Sequence, residues 1–193
     1  MKFLVKAELQ TTPERAWGFY FDPTFNLELR KVMNVESLDE HEFVETDAQI
    51  RMVYHVVARR VMPDWVRKAL PDVKIAFTSY DTFDKKKLIM ETRFVPDLLP
   101  NKISGEGVWT VKPTRPGWVE RRYEGDLRIH IPLLGGKMEE KLAAGLEGDF
   151  ALSNQLMAKW VQKDQEALAA GQPLPTLGPA SPIKAHFPNG YRG

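Results

Sequence analysis

The chain has no cysteine. Disulfide frameworks, thiol nucleophiles, iron–sulfur clusters and thiolate zinc sites are therefore excluded. Charge of one sign is not in excess either. Lys and Arg number 27 and Asp and Glu 26, for a formal net charge of +1. A dedicated nucleic-acid binder would show a basic excess or stripe, so no nucleic acid is expected as a partner. No apolar run approaches the roughly 20 residues that span a bilayer. Lys2, Lys6 and Glu8 carry charge too early in the chain for a signal-peptide core. Only four histidines occur, His41, His55, His130 and His186. None stands at a metal-binding spacing from another ligand, so no metal is expected. There is no nucleophile elbow and no dinucleotide fingerprint. Gly135-Gly136-Lys137 lacks the second half of a phosphate loop and reads as a sharp strand-to-helix turn. No cofactor is expected.

What is present suits a soluble, cytoplasmic single domain: 193 residues, 43% hydrophobic and 27% charged. Phe3, Val5, Ala7 and Leu9 alternate with polar or exposed positions, as in a half-buried strand. Thr12 as N-cap and Pro13 at the first helical position start a short helix, Glu14–Phe21. Asp22-Pro23 ends it, and Thr24–Lys31 forms a second. Strands then follow one another: Val32–Leu38 turning at Asp39-Glu40, then Phe43–Val61, Val73–Phe83, Lys85–Val95, Ile103–Val111 and Trp118–Ile131. In the last, Glu120, Arg122, Glu124, Asp126, Arg128 and His130 face one way, and Val119, Tyr123, Leu127, Ile129 and Ile131 the other. One face is wet and one covered, which marks an antiparallel sheet packed on something.

The covering element is a long helix from Gly136 to about Ala170, where Met138, Leu142, Leu146, Phe150, Met157, Trp160 and Val161 recur at helical spacing. A meander of this length must curl. The order predicts an α+β helix-grip fold: a curled seven-stranded antiparallel sheet around a long C-terminal helix, with two short helices after strand 1. Residues 1–170 form this domain. Residues 171–193 hold five of the 14 prolines and four of the 13 glycines, and read as an extended or disordered tail.

Three stretches carry a family resemblance. Thr12-Pro13-Glu14-Arg15-Ala16-Trp17 with Asp22-Pro23 resembles the opening helix of the START-like lipid-transfer superfamily, which includes birch-pollen allergens and polyketide cyclases. Residues Val61–Leu70 and Ile129–Leu142, the latter with Pro-Leu-Leu-Gly-Gly-Lys, resemble a bacterial family of unknown function within it. The resemblance covers about Lys2 to Val161. It implies a hydrophobic cavity between helix and sheet, and it names no substrate.

The candidate cavity wall combines Tyr54, Phe77, Phe94, Trp109 and Tyr123 from the inner sheet face with Leu142, Gly145, Leu146, Asp149 and Ser153 from the helix. Gly145 and Gly148 would leave space against the sheet, with Asp149 and Ser153 as polar anchors inside it. The bland alternative is a filled core with Asp149 in water. The leading expectation is a protein that binds or transfers a lipid or other hydrophobic small molecule. The alternatives are a polyketide-cyclase-type enzyme using Asp149, Tyr54 or His55, and a non-catalytic interaction module. Successive turns of a meander alternate between its ends. The connections Met62–Asp72, Pro96–Lys102 and Pro132–Gly136 should therefore share one end. Their Trp65, Leu98, Leu99, Leu133 and Leu134, flanked by Arg67, Lys68, Lys102 and Lys137, predict a cavity mouth that touches a membrane surface transiently.

Overall fold

The alternation from Lys2 to Leu9 does form a strand, β1 (Lys2–Leu9), with Phe3 and Leu9 buried and Leu4 and Lys6 exposed. The computed structural model describes residues 1–59, 74–131, 135–180 and 191–192. After β1 come α1 (Pro13–Phe21) and α2 (Pro23–Val32). Each has the cap its sequence offers. Thr12 accepts a hydrogen bond from the Arg15 amide, and Asp22 accepts from the Thr24 and Phe25 amides. Prolines at the first helical positions cost no hydrogen bond. Trp17 pins α1 to the sheet by donating its indole N–H to the Leu88 carbonyl at 3.0 Å.

The sheet continues with β2 (Val35–Glu45), β3 (Gln49–Ala58), β4 (Ile75–Asp84), β5 (Ile89–Pro96), β6 (Ile103–Arg115) and β7 (Trp118–Ile129). These pair antiparallel in the order β1-β7-β6-β5-β4-β3-β2. Seven long strands thus curl around one long helix, α3 (Gly135–Ala169). This is a helix-grip fold. A two-residue strand, β8 (Tyr191–Arg192), adds to the outer edge of β2.

Several boundaries differ from the sequence expectation: β2 starts at Val35, β5 at Ile89 after a turn over 85–88, β6 runs on to Arg115, and the first reversal moves. The polar pair Asp39-Glu40 does not turn the chain. A register irregularity between Glu40 and Glu42 absorbs the extra residue, His41, and β2 runs on to Glu45. The reversal comes at residues 46–48, where Thr46 and Gln49 bond each other. His41 therefore belongs to the strand and not to a turn.

The registers Ala58↔Ile75, Phe77↔Pro96 and Ile103↔Ile129 bring the strand ends at Ala58, Pro96 and Ile129, each leading into a connection, to one end of the sheet. α3 packs chiefly on β1, β7 and α2. In the tail, residues 172–180 have no regular secondary structure, yet Leu177 and Ala180 pack against the core. Gly178 donates its amide to Asp22 at 2.7 Å. Among the described residues, no helix is long and apolar enough to cross a membrane.

Candidate functional site

The concave face is set by the strand registers. One row across the sheet runs Glu40, Tyr54, Ser79, Phe94, Gly105, Leu127, and a second runs Met52, Asp81, Thr92, Gly107, Gly125, Phe3. A third runs Ile50, Phe83, Met90, Trp109, Tyr123, Val5. Tyr54, Trp109 and Tyr123 are buried, and Phe77 and Phe94 are half-buried. All five lie on the concave side.

These rows divide into two unlike regions. Toward β1, β6 and β7 the space is packed. Phe150 of α3 sits 4.4 Å from Tyr123, 5.0 Å from Trp109 and 6.5 Å from Phe3, centroid to centroid. Strand glycines make room for these rings. A Cβ at Gly107 would meet the Tyr123 hydroxyl, one at Gly125 the Phe3 ring and one at Gly105 the Phe94 ring, all within 2.4 Å. The expectation that helix glycines make space against the sheet is corrected for Gly148, which is exposed with nothing near a Cβ. Gly145, Leu142, Leu146 and Asp149 are half-buried, and Ser153 is buried.

Toward β3, β4 and β5 the lining is mixed: Ile50, Phe83 and Met90 are buried, with Trp17 and Phe21 of α1 against Phe83, and the neighbouring rows carry polar groups. Asp81 is buried, and its Oδ1 accepts from Ser79 at 2.9 Å and from Thr92. Its Oδ2 has no hydrogen-bond partner among the described residues. Burial pushes its pKa up, against the pull of Thr92, Ser79 and the Arg30 charge. Tyr54 donates to the Met52 sulfur at 2.6 Å, and the Arg30 guanidinium lies 5.6 Å from its ring centroid. Burial first, then Tyr20 and Asp81, hold the Tyr54 hydroxyl far above the ordinary tyrosine range. Tyr20 of α1 is raised likewise, by burial and then Asp81. Tyr20 as a whole is half-buried, and its hydroxyl is enclosed.

Arg121 completes this interior and was missed by the sequence reading. It sits on the covered side of β7, between the apolar Val119 and Tyr123. Only 3% of it is exposed. Its Nη1 donates to Asn154 Oδ1 and its Nη2 to Ser153 Oγ at 3.3 Å, both on α3. The guanidinium lies 3.8 Å from the Trp109 ring centroid. Desolvation pulls its pKa down to about 9, with Tyr20 opposing. The signal was available, because the period-2 alternation that puts Tyr123 inside puts Arg121 there too.

Of the other candidates, His55 lies on the convex face, 2.8 Å from Asp97. Leu98 is half-buried, and Leu99 is exposed. Trp65, Leu133 and Leu134 lie outside the described residues. Two open grooves occur on the surface. The larger, about 570 Å³, lies away from the concave face between Thr12, Arg15, Asp164, Leu168 and the tail residues Leu174 and Leu177. Among the described residues, no group of three or more acidic or histidine side chains is placed to hold a metal ion.

Comparison with known proteins agrees with this geometry at the level of fold. The model of the family DUF2505, described as "Protein of unknown function", matches residues 5–161. No curated protein matches the chain in sequence. Among solved structures, TTHA0849 of Thermus thermophilus is 16% identical with a TM-score of 0.58, over 84% of this chain and 98% of that one. The Zhui aromatase/cyclase of a Streptomyces species is 12% identical with a TM-score of 0.58, over 90% and 99%. Norcoclaurine synthase of Thalictrum flavum is 13% identical with a TM-score of 0.57, over 84% and 87%. At such identities the shared property is the START-like fold.

Proposed function

The chain belongs to the DUF2505 family of proteins of unknown function, and we propose that it binds a hydrophobic small molecule between the sheet and the C-terminal helix. The observation that carries this reading is the contrast within the concave face. α3 rests mainly on β1, β7 and α2, and a ring cluster fills that side. The face of β3–β5 instead presents long side chains, Tyr54, Phe77 and Phe94, around buried polar groups. Apolar walls with a few fixed polar groups suit a small-molecule site. The fold that this chain shares with an aromatase/cyclase and with norcoclaurine synthase is compatible with that use. Native mass spectrometry of the protein purified from its own cells tests it. A bound small molecule of defined mass supports the reading, and protein of bare mass under gentle conditions overturns it.

Asp81 supports a second reading, that of a cyclase-type enzyme. A buried carboxyl with a raised pKa and one oxygen without a hydrogen bond is suited to hold and return a proton. The two readings part on the fate of the ligand. A carrier releases it unchanged, whereas an enzyme releases a product of altered mass or spectrum.

A further inference from the structure

The buried carboxylates Asp22, Asp81 and Asp164 have partners among the described residues, and none of those partners is Arg121. Asp22 caps α2 and takes the Gly178 amide. Asp164 is held by Arg15 through two hydrogen bonds of 2.6 and 2.8 Å. Asp81 is held by Ser79 and Thr92, and Glu40 has contacts of its own. Arg121 makes no ion pair among the described residues. Its two terminal nitrogens reach only neutral acceptors, and its flat face is taken by Trp109.

A guanidinium stays charged at neutral pH, and an enclosed charge without a counter-ion is costly. Stacking on an indole orients the group but does not neutralise it. Ser153 and Asn154 are exchangeable partners. Each can also donate to an anion lying beside the guanidinium, through a hydroxyl and a side-chain amide. A planar fork backed by two such donors matches the two oxygens of a carboxylate.

We propose that the ligand of this site is an amphipathic carboxylate whose head group pairs with Arg121, with Ser153 and Asn154 beside it. Its apolar body would extend past Tyr20 toward Tyr54, away from the ring cluster of Trp109, Tyr123 and Phe150. This rests on the reading that a hydrophobic molecule binds between sheet and helix. The test uses two fluorescent probes that differ only in the head group, cis-parinaric acid and its methyl ester, titrated at pH 7.5. Wild type is expected to bind the acid at least tenfold more tightly than the ester. Arg121→Met is expected to abolish the preference, so that acid and ester are bound alike. Arg121→Lys keeps the charge without the fork and should retain part of the preference. Thermal melts of both variants establish that they are folded. Equal binding of acid and ester by wild type, or an acid preference that survives in Arg121→Met, overturns the carboxylate inference and leaves the hydrophobic site standing. Binding of neither probe by wild type overturns both.

Discussion

Two arginines show how differently one side chain can be used. Arg15 reaches Asp164 across 149 residues of sequence and meets it through two short hydrogen bonds, both groups largely enclosed. Removing one partner strands the other. Asp164→Ala is expected to lower unfolding stability by about 3 kcal/mol, measured by denaturant titration. Arg121 has no such partner among the described residues. Exchange for a hydrophobic group of similar length removes a buried charge but takes the donors from the buried Ser153 and Asn154. The two effects oppose, so Arg121→Met should change stability by no more than roughly 1 kcal/mol, and a large loss would show that the guanidinium is a structural support. Asp81 contributes a pH dependence of known sign. Burial raises its folded pKa, so the folded protein holds that proton more tightly than the unfolded chain. Its stabilising contribution is complete below the unfolded value of about 4 and is lost as pH rises through the folded value. Asp81→Asn can still accept from Ser79 and Thr92 and does not ionise. Unfolding titrations from pH 4 to 8 should show wild type losing stability relative to the variant as pH rises, and parallel curves would contradict this.

At the level of elements, local chemistry is sufficient where a segment is closed by its own caps. Thr12-Pro13 and Asp22-Pro23 mark both short helices to within a residue or two, because the bonds that start them lie within three residues. Glu40 misleads for the complementary reason. An acidic pair in sequence suggests a turn, but here the bulge at His41 lets β2 continue, and the alternation from Leu38 puts Glu40 on the covered side. The tail shows the same dependence on distant partners. Leu177 occupies the space a Cβ at Gly18 would need, and the Gly178 amide completes the Asp22 carboxylate. Deleting residues 171–193 should cost about 2–3 kcal/mol, from a half-buried leucine and one charge-assisted bond. Far-UV circular dichroism should keep its native shape. An unchanged melting temperature would show that this seat contributes nothing.

For the molecule as a whole, three strand ends that lead into connections lie at one end of the sheet, and Leu99 stands there exposed. If the proposed hydrophobic site opens at this end, an apolar tip beside it is suited to contact with a bilayer. Co-sedimentation with vesicles containing anionic lipid is expected for wild type at low salt and should fall at least severalfold for Leu98→Asp plus Leu99→Asp. Equal binding by both proteins, or none by wild type, refutes the contact.

The order of strands, short helices and final helix was legible in the chain, because strand alternation, helical spacing and caps are read over a few residues at a time. The inward placement of Tyr54, Phe77, Phe94, Trp109 and Tyr123 followed from the same alternation. Which of them pack against one another did not. Phe150 fills the side under β6 and β7 only because α3 rests on β1 and β7, a choice of angle that no local pattern encodes. The polar interior depends on the tertiary structure for a further reason. Asp81, Tyr20, Tyr54 and Arg121 come from β4, α1, β3 and β7, and their shifted ionisation arises from enclosure by all of them together. Periodicity alone determined that Arg121 points inward. That no carboxylate among the described residues pairs with it was decided by where the folded chain placed those acids.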